Sequence, residues 1–282
     1  MVKTIGVVGA GTMGNGIAQV AAEAGYQVIL QDIDEKYVQV GLDAIKKNLH
    51  SKVTKGKLEE KKAQEILSRI HGTVNLHDLS EVEVVIEAII EKMEVKKEIY
   101  KRLDSICKEF TVLASNTSSL SITEIAGSTN RPDKVIGLHF FNPVLVMELV
   151  EIIKGSRTSE ESIQLISNLV DRIGKKSILV NDAPLFVVNR ILASMLNEAI
   201  FLRYEGTASA EDIDQAMMLG ANHPIGPLAL ADLIGLDTLL YVIETLYSET
   251  ADSKYRPCPL LKKLVRAGHL GKKSGIGFYS YQ

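Results

Sequence analysis

The chain has 282 residues and carries 32 Lys and Arg against 35 Asp and Glu, a formal net charge of −3. That length suits two domains, and an apolar content of 46% suffices for sizeable cores. The slightly acidic balance excludes the basic footprint of bulk nucleic-acid binding, and no apolar run reaches the roughly eighteen residues of a membrane span.

The N-terminus runs directly into "KTIGVVGAG", with no basic segment ahead of a long apolar stretch, so no signal peptide is expected. Ile5, Val7 and Val8 make a short β-type run. Gly9, Ala10, Gly11, Thr12, Met13 and Gly14 follow, in the pattern G-x-G-x-x-G. Ile17, Val20, Ala21 and Ala24 then recur at helical spacing, and Gly25 ends the helix. A second strand, Val28 to Leu30, leads into Asp32. The first glycine permits a tight turn, the second lets a pyrophosphate approach the backbone, and the third lets helix and strand pack closely. The N–H groups at the helix start favour phosphate charge. Asp32 stands 23 positions after Gly9, where an acid accepts hydrogen bonds from an adenosine ribose and repels a 2′-phosphate. A bare glycine pattern also occurs in loops that only pack. Here strand, helix, second strand and terminal acid are all in place, so the stretch reads as a site for NAD in preference to NADP.

A lysine-rich helical section follows, "GLDAIKKNLHSKVTKGKLEEKKAQEILSRI", with apolar positions at Leu42, Ile45 and Leu49 and again at Ile66, Leu67 and Ile70. Five lysines and no acid lie between Lys46 and Lys57. Such a run is either a docking patch for a phosphorylated substrate handle or a solvated helical hairpin. "VEVVIEA" reads as a buried strand, and "EVKKEIYKRLDSI" as a helix with Glu98 and Arg102 paired at i,i+4. "TVLASN" is a strand ending at Asn116, Thr117, Ser118 and Ser119, followed by a short helix capped by Ser121 with Glu124. "KVIGLHFF" is a strand ending at His139. "ELVEII" and "KSILV" are further strands, separated by the helix "SIQLISNLVDRIG". Alternating strands and helices predict an α/β fold with a doubly wound, Rossmann-type sheet over residues 1–183, carrying the lysine-rich hairpin as an insertion. Ligands of such sheets bind off the carboxyl ends of the strands, where Ser118 and His139 lie. Beyond Pro184 only helical periodicity remains, in "LFVVNRILASMLNEAIFLRYE", "SAEDIDQAMML", "PLALADLIGLDTLLYVIETLYSE" and "CPLLKKLVRAG". Residues 184–282 are therefore expected to form a smaller all-α domain. Its long apolar runs suit burial against another subunit, as a dimer or a dimer of dimers.

Glu151 lies in the apolar run "LVEII", where an ionised carboxylate is costly unless a cation or donor meets it. His139 is 12 positions upstream, and a short turn at Asn142 and Pro143 brings the two within hydrogen-bond reach. Histidine with a carboxylate partner is a general acid or base suited to neutral pH; the alternative is an edge strand with an ordinary salt bridge. Ser118 ends a strand among small hydroxyl residues, and Ser121 fills the helix-cap role better. Asn189 sits at an apolar helix start, with Pro184 in the first turn. Its amide needs a partner if buried, and the cleft between the domains is a place for one. Six scattered histidines show no ligand spacing, so no metal is expected. Cys107 and Cys258, far apart, fit a reducing, cytoplasmic setting.

Taken together, "GVVGAGTMGNGIAQVAA", "ASNTSSLSITEIA", "GLHFFNPVLVMELVE", "FVVNRIL", "GANHPIGPLALADLIGLD" and "GKKSGIGFY" resemble the short-chain-acyl 3-hydroxyacyl-CoA dehydrogenases, with the bacterial 3-hydroxybutyryl-CoA branch fitting best. The resemblance spans essentially the whole chain, and its serine, histidine and asparagine motifs are more specific than the glycine pattern. It implies that His139 is the general base and acid, that Glu151 orients it, and that Ser118 and Asn189 hydrogen-bond the substrate oxygen. It also places Glu91, Lys96, Asn142 and Lys273 near the dinucleotide, and Lys52 and Lys55 near the CoA phosphates of a CoA-thioester substrate. Three positions depart from the family pattern: Leu145 replaces an expected proline, Glu148 a lysine and Leu185 a glycine. They bear on acyl chain length. Two rival readings are a dehydrogenase of a non-CoA hydroxy acid or sugar acid, and a non-catalytic NADH-responsive sensor or structural protein.

Overall fold

The computed structural model describes residues 2–281, which divide between Ala183 and Pro184 into two units. The first is built on β1 (Thr4–Val8), α1 (Thr12–Glu23), β2 (Gln27–Gln31), α2 (Glu35–Thr54), α3 (Glu60–Leu67), β3 (Ile70–Thr73), β4 (Val84–Glu87), α4 (Met93–Ile106), β5 (Val112–Ser115), α5 (Ile122–Ala126), β6 (Val135–Phe140), β7 (Leu149–Lys154), α6 (Glu160–Arg172) and β8 (Lys176–Asn181). The strands form one sheet in the order β3-β2-β1-β4-β5-β6-β7-β8. All neighbours are parallel except β6 and β7.

Chain order explains that arrangement. β2 and β3 lie to one side of β1 and the later strands to the other, so the winding reverses between β1 and β4. The carboxyl ends of those two strands bound the crevice where such sheets take ligands. Central strands covered on both faces need unbroken apolar runs. β4 supplies Val84, Val85 and Ile86, and β6 supplies Val135, Ile136 and Leu138, all buried. α1 lays Ile17, Ala18, Ala21 and Ala22 into the same core, and the α2–α3 hairpin adds Ile45, Leu49, Ala63 and Ile66.

Two expectations fail in this unit. Ile70 opens strand β3 instead of continuing the helical hairpin, pairing with Val28 of β2. With only four residues and a His-Gly centre, β3 shows no apolar alternation; backbone pairing alone makes it a strand. Glu98 and Arg102 form no ion pair among the described residues. Both line an open cavity, where a solvated i,i+4 pair gains little. Their neighbour Lys97 instead bridges Glu94 and Glu124.

The second unit contains α7 (Val188–Tyr204), α8 (Ala210–Gln215) running into a wider turn at Ala216–Gly220, α9 (Pro227–Ile234), α10 (Leu236–Thr250) and α11 (Pro259–Arg266). Leu196, Ile200, Ile213, Leu228, Leu236, Leu239, Ile243 and Leu261 form its core. Here too the sequence reading needs correction. Pro184 is not in the first turn of α7, because Leu185 and Phe186 adopt φ of 61° and 56° and delay the helix to Val188. The apolar stretch after Pro227 is two helices, broken by Gly235 at φ 99°. Two buried carboxylates unnoticed in the sequence tie down the tail. Asp232 accepts from the N–H groups of Phe278 and Tyr279 and from the Tyr281 hydroxyl, each at 3.0 Å. Asp214 caps α9 at Leu228 and Ala229 and accepts from the Tyr279 hydroxyl.

Candidate active site

The glycine loop joins β1 to α1. Gly9 has φ 101°, and a Cβ there would lie 2.6 Å from the Ala88 carbonyl oxygen, so the turn excludes a side chain. A Cβ on Gly14 would lie 1.7 Å from the Gly9 carbonyl oxygen, which fixes how closely helix and strand meet. Gly11 borders open space and starts α1 without a side-chain cap. Ala10 is buried, whereas Gly11 and Thr12 are exposed, with Met13 between them and the core. The first N–H groups of α1, which no intrahelical partner satisfies, thus face a place an anion can reach. Asp32 is tied to this loop: its Oδ2 accepts from Ala10 N–H and its Oδ1 from Ile33 N–H, both at 2.7 Å. It borders a cavity of about 590 Å³ with Ile33, Val74, Val95, Ile99 and Arg102 among the lining residues. Ile33 is 83% exposed, an apolar side chain beside a carboxylate that sequence reasoning passed over.

A second group lies where β4 and β5 end. Glu91 accepts at Oε1 from Thr117 Oγ1 (2.6 Å), Ser118 N–H (2.8 Å) and Ser118 Oγ (3.2 Å), and from the N–H and hydroxyl of Ser119, both at 3.2 Å. Burial pushes its carboxyl up, but the Lys96 charge and the bonds from Thr117, Ser118 and Ser119 outweigh that and hold it below the usual range. Lys96 is fully buried, 2.6 Å from Glu87 and 3.4 Å from Glu91. Glu87, equally buried, also accepts from Ser115 Oγ and Ile89 N–H. Sequence reasoning missed Glu87, although an acid inside the apolar run "VVIEA" is the same signal that exposed Glu151. Asn116 accepts from Phe140 N–H at 2.9 Å and so links the ends of β5 and β6.

His139 and Glu151 stand opposite each other in the antiparallel register of β6 and β7. His139 Nδ1 is 2.7 Å from Glu151 Oε2, Glu151 is fully buried and His139 nearly so. A carboxylate accepts, so the Nδ1–H donates, and that choice fixes the tautomer. Phe141 packs against the imidazole at a ring separation of 4.4 Å. Asn142 is exposed in the loop that follows. Lys175 holds that loop by donating to the carbonyls of Val144 and Met147. Of the departing residues in this loop, Leu145 packs on the core and Glu148 lies 4.0 Å from Lys176.

Other site residues are distributed differently. Lys52 is paired with Glu23 at 2.6 Å, so an acid from α1 reaches into the lysine run. Lys55 follows α2 and is exposed. In the second unit, Asn189 is the second residue of α7. Lys273 sits in a tight turn with its ammonium on Asp237 at 2.6 Å. Leu185, standing where the family pattern has glycine, takes a left-handed backbone while its side chain is fully buried.

Comparison with known proteins bears directly on this arrangement. Residues 4–183 match the model of the 3-hydroxyacyl-CoA dehydrogenase NAD-binding domain, and residues 186–281 match the C-terminal domain of the same family. The chain belongs to the 3-hydroxyacyl-CoA dehydrogenase family. Members of this family are oxidoreductases, and the 4–183 match makes the glycine loop part of an NAD-binding domain. Among similar proteins, the probable 3-hydroxybutyryl-CoA dehydrogenase of Bacillus subtilis is 54% identical over 100% of this chain and 98% of its own. The 3-hydroxybutyryl-CoA dehydrogenase of Clostridioides difficile is 52% identical over 98% of this chain and 99% of its own. The crystal structure of the (S)-3-hydroxybutyryl-CoA dehydrogenase of Ralstonia eutropha superposes with a TM-score of 0.98 at 50% identity, covering 100% of both chains. As a member of the 3-hydroxyacyl-CoA dehydrogenase family, the chain carries its Gly9, Gly14 and Asp32 in a geometry that fits a dinucleotide.

Proposed function

We propose that this chain interconverts (S)-3-hydroxybutyryl-CoA and acetoacetyl-CoA, using NAD(H) in preference to NADP(H). One observation carries the reading: His139 is held by Glu151 at 2.7 Å inside an apolar strand pair, at the strand ends of an NAD-binding sheet. The names of relatives at about half identity or more point to the same reaction.

Bound NAD supplies a hydride acceptor at nicotinamide C4. In oxidation, His139 Nε2 takes the 3-hydroxyl proton as the C3 hydrogen leaves with its electron pair; in reduction it returns that proton to the new alkoxide. Glu151 keeps Nδ1 protonated and balances the imidazolium. Ser118 and Asn189 hydrogen-bond the substrate oxygen and hold C3 in line, which removes the orientational part of the barrier. The first turn of α1 takes the pyrophosphate, and Asp32 takes the adenosine ribose hydroxyls and repels a 2′-phosphate. Glu91, Lys96, Asn116, Asn142 and Lys273 complete the dinucleotide site. Lys55, with Lys52 released from Glu23, meets the CoA phosphates. The 184–282 unit serves substrate binding and self-association as a homodimer or dimer of dimers, through apolar side chains it exposes, such as Leu219 and Leu233. Two buried free thiols accord with a cytoplasmic setting.

The deciding experiment is the initial rate of acetoacetyl-CoA reduction with NADH and NADPH side by side. A fast, NADH-preferring rate supports the assignment. A fast NADPH rate keeps the chemistry and overturns the role of Asp32. Turnover of free acetoacetate without preference for the thioester replaces the CoA substrate with a free hydroxy acid. No turnover on either makes the chain a nucleotide-binding protein without this activity.

A further inference from the structure

Beneath Ser118 lies an ion cluster of Lys96, Glu87 and Glu91, of which the proposed function places Lys96 and Glu91 in the dinucleotide site and leaves Glu87 without a role. Lys96 is fully buried between two carboxylates, 2.6 Å from Glu87 and 3.4 Å from Glu91. The two acids differ in what else they hold. Glu87, fully buried at the end of β4, gathers the Ser115 hydroxyl at 2.8 Å and the Ile89 N–H at 2.8 Å. Glu91, partly exposed, gathers the backbone and hydroxyl donors of the 117–119 turn.

The order of strength follows from these contacts. The shorter contact of Lys96 is the one to Glu87, in the drier place. A buried ammonium needs a carboxylate at close range, so Glu87 keeps Lys96 from collapsing onto Glu91. Glu91 is then left to accept from the turn that carries Ser118. The count of charges matters as well. Two carboxylates face one ammonium, so one carboxylate remains in excess beside Ser118. Oxidised nicotinamide is a cation and reduced nicotinamide is neutral. A fixed charge near the ring therefore separates their affinities, and it does so most where water is excluded.

We propose that Glu87 is a positioning residue for the dinucleotide site. Acting through Lys96, it fixes Glu91 and the 117–119 turn, and the carboxylate in excess favours the oxidised over the reduced nicotinamide. The inference rests on the reading above that the nicotinamide lies beside Ser118.

The test is the ratio of dissociation constants, Kd for NAD over Kd for NADH, with NADH followed by its fluorescence and NAD by competition. Glu87→Gln removes the excess charge and should raise the ratio about tenfold, the scale of one unit charge in a partly buried setting. The double variant E87Q/K96M replaces the buried pair with neutral groups of similar size. It restores one carboxylate in excess and should return the ratio to within about twofold of wild type. Loss of a direct Lys96 contact would weaken both nucleotides alike and leave the ratio alone. Lys96→Met by itself adds to the excess and should lower the ratio, which keeps the test open if E87Q does not fold. An unchanged ratio in E87Q or K96M, with NADH still bound and acetoacetyl-CoA reduced by the wild type, overturns this inference alone. Failure of the wild type to bind either nucleotide overturns the proposed function together with it.

Discussion

Replacing Glu151 by Gln is the most direct perturbation of the proposed chemistry. The carboxylate is fully buried and its Oε2 lies 2.7 Å from His139 Nδ1, so removing its charge acts on the imidazole at close range in a dry place. The proton on Nε2 makes the imidazole cationic, and the anion beside it is what offsets that charge. Opposite unit charges about 4 Å apart interact by about 4 kcal/mol at an effective dielectric of 20. Glutamine retains a hydrogen bond to Nδ1, which recovers about 1 kcal/mol. The remainder, about 3 kcal/mol, corresponds to a loss in kcat of about two orders of magnitude. Binding of NADH should stay within about threefold of wild type, because the glycine loop and Asp32 are untouched. The assay is steady-state acetoacetyl-CoA reduction, with KM and kcat separated, beside a thermal melt to establish that the variant is folded. A folded E151Q with kcat within about threefold of wild type would refute the idea that the carboxylate supports charge on His139. A fall confined to KM would make Glu151 a packing residue instead.

Three further outcomes follow from particular contacts. Asp32→Ala removes both the acceptor for Ala10 and Ile33 N–H and the carboxylate that would face a 2′-phosphate; loosening of the loop weakens both nucleotides alike, but the preference for NADH over NADPH should fall about tenfold, so an unchanged preference would contradict the ribose assignment. Asp232→Ala strips three donors of the tail of their acceptor. Unfolding free energy should drop by about 3 kcal/mol or more, and limited trypsin digestion should cut first after Lys272 or Lys273; an unaltered digestion pattern would show that the tail is held by other means. Burial lifts the Cys107 thiol from its ordinary value of 9.0 to about 11. The folded chain thus keeps the proton between those values while the unfolded chain loses it. That contribution is intact below pH 9 and is lost as pH rises toward 11, by about 2–3 kcal/mol at most. Urea midpoints should fall across that window, and Cys107→Ala should flatten the fall.

How much of this was legible in the sequence depended on whether the signal was local. The glycine turn, its helix and Asp32 follow one another within a single β-α-β run, and each constrains the next through backbone sterics. His139 and Glu151 could be paired because a buried acid needs a donor and the intervening loop is short. The β3 edge strand was not legible, because its four residues owe their conformation to the neighbouring β2 and not to their own pattern. The start of α7 was misplaced for a related reason: Pro184 suits a helix start, but the left-handed Leu185 and Phe186 override that preference. The carboxylates Asp214 and Asp232 gave no warning, since their partners lie at Leu228 and beyond and in the tail at 278–281.

The two buried ion systems of the first unit share one physical logic. Each puts a carboxylate in an apolar strand, where it would be expelled if left alone. Each resolves the cost by a cation or a charge-accepting ring on an adjoining element: Lys96 on α4 for Glu87, and His139 on β6 for Glu151. The difference lies in the partner. Lys96 is clamped between two carboxylates, so the Glu87 system can set a standing field and hold a turn. Imidazole gains and loses its charge near neutral pH, so the Glu151 system can follow a proton through a reaction. On the proposed function, His139→Lys should cost acetoacetyl-CoA turnover orders of magnitude while NADH still binds, and near-normal turnover would contradict the role given to the imidazole.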